Sequence, residues 1–301
     1  MSFWFVLIFI ITLFMYLHIY TFLHTNPELK MYDIKFDSKE QMEDLRKDKT
    51  PMKIDNLNTS YFSNAFQFFS LSFDFTTLPE GEKNISLYSY DDFLRLNEDN
   101  TIILPSTKFS IDKYLKSQSE MDPSFGYFSR DNEEFVNKYL VKTLDLLGIY
   151  LKPELVTKTK YDMLLGMKNM QTGLRYSLSS HLYILIKQGK CKIRMYSPDI
   201  VSKLYPKYTN QLDVNVWDIE KSQDIHTYKH LDIDVKEGDV VYIPTYWSYS
   251  IKYDSPGIIF TVNYDTVMSE FMSVPYKVIE YISYLNVNTK KIKRDNIIKP
   301  E

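Results

Sequence analysis

The stretch from His181 to Asp265 constrains this chain most, because it is a close succession of apolar runs separated by turn residues. "HLYILIKQGKCKIRMYSP" reads as two β runs around a Gln-Gly turn, and "DVVYIPTYW", "YSIKYD" and "GIIFTVNYD" follow as further runs. Upstream, "ISLYSYDDF" and "TIILP" read as strands, and "SIDKYLKSQ" as a helix with Ser110 at its N-cap. "NEEFVNKYLVKTLDLLG" is an amphipathic helix in which Phe135, Tyr139, Leu140, Leu144 and Leu147 share a face and Gly148 marks the end. "SEFMSVPYKVIEYISYL" closes the pattern as a helix interrupted by Pro275. Helices first, then closely spaced strands, give a mainly β protein with helical additions, a β-sandwich or jelly roll.

A different signal comes before this region. Residues 3–23 carry no charge, and 21 helical residues at about 1.5 Å each extend about 32 Å, close to the thickness of a hydrocarbon core. Trp4, Tyr16 and Tyr20 suit interfacial positions. No Lys or Arg precedes the run and no Gly or Ala occurs before Ala65, which favours an uncleaved anchor over a signal peptide. Lys30, Lys35 and Lys39 follow it, so the bulk of the chain is expected on the cytosolic side. The expected organisation is a transmembrane anchor (1–25), a polar linker (26–50), a β domain (51–267) and a C-terminal helix with its tail (268–301). Phe271, Val274, Val278, Ile279, Ile282 and Leu285 are more apolar residues than one helix face needs, so this helix is also a candidate homodimer surface.

Composition narrows the partners. The net charge is −3 with a pI near 6.0 and no basic stripe, which argues against nucleic acid. Cys191 is the single cysteine, so no intrachain disulfide forms, and its apolar strand with no neighbouring His does not make it a nucleophile. His226 and His230 stand four apart with Asp224 and Asp232 close by, but the segment reads as a polar loop rather than a metal-binding helix.

Four segments in order, "LLGMKNMQTGLRYS", "ILIKQGKCKIRMYSP", "GDVVYIPTYWSYSI" and "FTVNYD", resemble the Jumonji-C and related cupin-type oxygenases over about 160–266, nearest the asparaginyl-hydroxylase branch. The resemblance implies a double-stranded β-helix, the cupin jelly roll. Such enzymes read Thr-Pro-Leu-His-x-Asp in the first segment and Gly-Asp-x-x-x-Ile-Pro-x-x-Trp-Trp-His in the third. They hold Fe(II) with two histidines and a carboxylate. Matched without gaps, those positions are Arg175, Ser177 and Tyr249. Arginine does not lose its proton in a protein, and neutral Ser and Tyr hydroxyls are weak ligands.

The resemblance therefore implies a pseudo-oxygenase with no catalytic residue and no metal. Thr172, Lys190 and Asn263 match positions of a 2-oxoglutarate site and are candidate remnants of it. If the register holds, Arg175 and Lys190 point together into the barrel mouth, which favours an acidic or glycan ligand; the alternative is that Arg175 pairs with an internal carboxylate or hydrogen-bonds to Tyr249. The alternative is a divergent Fe(II)/2-oxoglutarate hydroxylase with replacement ligands such as His181. No cofactor is expected on the first reading, and Fe(II) with 2-oxoglutarate on the alternative. The expected partners are a membrane through residues 3–23 and other proteins. The Lys, Asn, Ile and Tyr bias is one that AT-rich genomes impose. By analogy with anchored, divergent domains of giant DNA viruses, it suggests a virion membrane or capsid-associated role.

Overall fold

A computed structural model of the chain describes residues 3–36, 38–55, 84–90, 106–119, 126–200 and 228–286. In order these form α1 (Phe3–Leu23), β1 (Tyr32–Ile34), α2 (Lys39–Lys47), β2 (Met52–Ile54), β3 (Asn84–Ser89), β4 (Ser106–Ser110), α3 (Ile111–Ser119) and β5 (Tyr127–Ser129). Next come α4 (Glu133–Tyr139), α5 (Val141–Leu151), β6 (Val156–Gly166), β7 (Arg175–Tyr176), β8 (His181–Gln188) and β9 (Lys190–Tyr196). Beyond residue 228 lie β10 (Leu231–Lys236), β11 (Val240–Pro244), β12 (Ser248–Tyr253), β13 (Gly257–Thr266) and α6 (Val267–Asn286).

The strands make a large sheet in the order β1-β2-β11-β8-β13-β6-β5-β3-β4 and a small one in the order β10-β9-β12-β7. Leu182, Ile184 and Ile186 of β8 pack with Ile193, Met195, Ile233 and Ile251 of the small sheet. On the other face of β8, Tyr183 and Leu185 pack with Phe135, Leu144 and Leu147 of the helices. β8 is covered on both faces, which is why it reads as an unbroken apolar run. β10 is an edge strand and alternates buried with exposed residues. The result is a mainly β sandwich with helices on the outer face of the large sheet.

The Gln-Gly turn is where the sequence places it. Gly189 has φ +91°, and a Cβ there would meet the Pro256 carbonyl at 2.5 Å, so the β8–β9 hairpin needs glycine.

Several elements differ from expectation. The segment read as a polar linker holds β1 and α2: β1 pairs in parallel with β2, and β2 pairs antiparallel with β11. Ser38 caps α2 by accepting from the Gln41 amide at 3.1 Å. Met42 and Arg46 of α2 are buried, and the Arg46 guanidinium donates to the Leu151 carbonyl at 2.9 Å and the Tyr183 hydroxyl at 3.0 Å. The single helix expected over 132–148 is broken at Leu140, which has φ −116° and lies between α4 and α5. Gly148 does not end that helix. It lies inside α5, where its missing side chain leaves room for the Tyr264 hydroxyl, 3.6 Å from an added Cβ.

Ser110 is the last residue of β4, directly before α3. α6 runs on through the exposed Pro275, whose missing N–H forfeits one bond, that to the Phe271 carbonyl. The expected strand at 101–105 lies outside the described residues.

The transmembrane anchor is not shown. Among the described residues no helix is long and apolar enough to cross a membrane. What is present is a helix whose apolar side chains, from Phe3 to Leu23, are largely exposed.

Candidate functional site

Between the sheets lies a cavity of about 120 Å3 whose polar lining includes Arg130, Asp162, Gln171, Thr172, Arg175, Tyr249 and Asn263. β7 and β12 bring Arg175 opposite Tyr249. β13 and β6 bring Thr261 opposite Asp162, and the next inward residue of β13 is Asn263. Thr172 is stitched to β12: its amide donates to the Ile251 carbonyl (2.8 Å), its hydroxyl accepts from the Ile251 amide (2.9 Å), and its carbonyl accepts from the Ser250 hydroxyl (2.5 Å). Ser177 is buried behind this wall, where its hydroxyl donates to Asn263 Oδ1 at 3.4 Å and accepts from the Ser179 amide at 3.2 Å.

Two residues absent from the sequence reading shape the cavity. Arg130 is buried, with its guanidinium 5.0 Å from the Tyr88 ring centre and 5.7 Å from that of Phe128, and its Nε is 3.4 Å from Asp131. Asp162 accepts from the backbone amides of Asp131 (3.1 Å), Asn132 (2.6 Å) and Met163 (2.8 Å). Burial raises its carboxyl to about 7, and the neighbouring Asp131 charge adds to the rise. Burial, with Asp162 and Asp131 nearby, also pushes the Tyr249 phenol well above its ordinary value, so it stays protonated at neutral pH.

The sequence-derived candidates separate here. Thr172, Asn263, Arg175 and Tyr249 line one cavity, whereas Lys190 is exposed at the β8–β9 hairpin, where its amide donates to the Ser255 hydroxyl at 2.8 Å. Lys190 and Arg175 therefore do not meet in the mouth as expected. Lys192 is on the outer face of β9, 3.5 Å from Asp234. The inward residues of β9 are Cys191, Ile193 and Met195, and burial pushes the Cys191 thiol up. The second cation at the cavity is Arg130. A Ser-Arg-Asp-Asn stretch between a strand and a helix start offers little sign of a buried guanidinium.

His181 is on the far face of the large sheet, with Nδ1 3.0 Å from the Tyr242 hydroxyl. Burial lowers it to about 3, with the Arg46 and Lys49 charges contributing. His230 Nδ1 is 3.1 Å from the Tyr228 carbonyl, while Asp232 is held by Arg194 at 2.7 and 2.8 Å. His226 and Asp224 lie outside the described residues.

These side chains do not fit an iron centre of two histidines and a carboxylate. Among the described residues, no three His, Cys, Asp or Glu side chains come together. At the cavity, the carboxylate of Asp162 already accepts three backbone amides, and the residue opposite Tyr249 is a permanent cation. The lining suits a small anion better: guanidinium groups with amide and hydroxyl donors beside them.

Residues 38–270 match the family described as Cupin-like domain. The match covers most of the chain, which therefore belongs to the cupin-like domain family. No curated relative matches it.

Proposed function

We propose that this chain is a membrane-anchored cupin-like domain, built on a double-stranded β-helix, that has lost oxygenase chemistry and serves as a structural or interaction module. One observation carries the proposal. The positions expected to hold iron are Arg175, Ser177 and Tyr249, with Arg175 and Tyr249 paired across β7 and β12 and Tyr249 a protonated phenol. The anchor is α1, an uncharged helix of 21 residues with its apolar side chains outward. Purified protein supplied with Fe(II), ascorbate and 2-oxoglutarate tests the loss of chemistry. No succinate above the iron-only background is expected, and iron-dependent succinate formation would restore the divergent hydroxylase.

The cavity favours a second reading, a metal-free barrel that binds a small acidic ligand. Arg130 and Arg175 line it together with Gln171, Thr172 and Asn263. At about 120 Å3 it is well below the roughly 300–1,000 Å3 of pockets for larger ligands, so a carboxylate fits this reading and a glycan does not. Succinate or inorganic phosphate should raise the melting temperature of the parent and not of Arg175→Gln. Saturation at 100 times Kd corresponds to about 2.7 kcal/mol. An equal rise in both proteins would place the anion elsewhere.

A further inference from the structure

Over its described side chains, α6 has its polarity reversed. The face it turns to the domain buries Ser269 and Ser273, while Val267, Phe271, Val274 and Val278 are 60%, 62%, 50% and 48% exposed. Their spacing of four, three and four residues puts these side chains on one strip of the helix. A helix on a globular domain normally does the opposite. The inward serines are satisfied locally: Ser269 donates to the Thr266 carbonyl and accepts from the Thr266 amide, both at 2.9 Å, and Ser273 donates to the Glu270 carbonyl at 2.8 Å. The polar side is thereby sealed, and the apolar side faces out.

α6 also touches α1. α1 is tied to the domain without a spacer: the Lys49 ammonium donates to the His24 carbonyl at 2.6 Å, and the Asn26 side chain donates to the Asp48 carbonyl at 2.9 Å and the Thr50 hydroxyl at 3.1 Å. Both helices leave the same end of the large sheet. Lys49 is close enough to affect His181, and His181 pairs with Tyr264, just before β13 gives way to α6. A helix embedded in lipid and fixed this closely brings that end of the domain onto the bilayer surface.

We infer that the strip Val267, Phe271, Val274 and Val278 beds into the lipid surface that receives α1, so that two helices seat the domain on the bilayer. This rests on the proposal that α1 is a lipid anchor. A lipid surface fits the strip better than a second copy of the chain. The helix that carries the strip touches α1, so the strip and the anchor lie at one end of the domain. An amphipathic helix at an interface sinks its apolar face about 5–10 Å below the headgroups.

The test uses the full chain in phosphatidylcholine vesicles, labelled at single introduced cysteines with a fluorophore and quenched by brominated lipid. Cys191 is buried and stays unlabelled. Phe9→Cys reports α1, Phe271→Cys reports the strip, and Glu237→Cys reports the opposite end of the sheet. Seating predicts that the labels at Phe9→Cys and Phe271→Cys each lose roughly half their emission and that at Glu237→Cys almost none. Quenching at Phe9→Cys without quenching at Phe271→Cys would overturn the seating and leave the anchor standing. Quenching at neither would overturn the anchor, and the seating with it. Equal quenching at Phe271→Cys and Glu237→Cys would also overturn it, since lipid would then not select the strip.

Discussion

Asp162 and His181 occupy opposite faces of one sheet and pull stability in opposite directions with pH. The Asp162 carboxyl is raised to about 7, so the folded state binds its proton more readily than the unfolded chain does. Its contribution is present below the unfolded carboxylate range and is lost as pH rises through about 7. His181 is lowered to about 3, so its contribution is present above the unfolded value near 6.5 and is lost as pH falls toward 3. In the parent the two slopes offset each other between about pH 4 and 6.5. Single variants should separate them. Asp162→Asn should lose melting temperature relative to the parent on acidification from pH 7 to 5, and His181→Gln should gain it. Parallel profiles for all three proteins would contradict these assignments.

The residue scale also shows how far the sequence could be read. Successive strand residues point to opposite faces, so a one-residue shift in matching β9 exchanges inside for outside. That shift separates Lys190, which is exposed, from Cys191, which faces the core. Thr172, Arg175, Tyr249 and Asn263 could be placed together because their segments carry recognisable spacing. Arg130 and Asp162 could not, because one follows a short strand and the other is held by a loop 30 and 31 residues upstream.

At the scale of elements, α2 carries the largest departure from expectation. Its sequence is mostly charged and reads as solvated, yet Arg46 is buried between α5 and β8. A buried guanidinium of this kind joins elements far apart in sequence, since its partners Leu151 and Tyr183 follow more than a hundred residues later. β1 and β2 are equally hard to foresee, because three-residue strands carry almost no periodicity. β8, β11 and β13 are plain in the sequence because burial on both faces demands continuous apolar runs. Arg46→Ala should destabilise the fold by about 2–4 kcal/mol in chemical denaturation, through loss of its bonds to the Leu151 carbonyl and the Tyr183 hydroxyl. A change within about 0.5 kcal/mol, the range of ordinary surface substitutions, would mean that α2 is a peripheral linker after all.

The whole molecule combines a two-sheet core and a tight hairpin at Gly189 with a small polar cavity. The cavity wall presents guanidinium and phenol groups where the resemblance calls for metal ligands. Fold and chemistry thus separate: apolar periodicity specifies the first, and a handful of inward side chains decides the second. The most direct test is the metal content of the purified full chain, measured by elemental analysis after incubation with Fe(II) and 2-oxoglutarate under anaerobic conditions and removal of the excess. Far less than one iron per chain is expected, with a melting temperature unchanged by the metal. One iron per chain together with a metal-dependent rise in melting temperature would contradict the reading of Arg175, Ser177 and Tyr249.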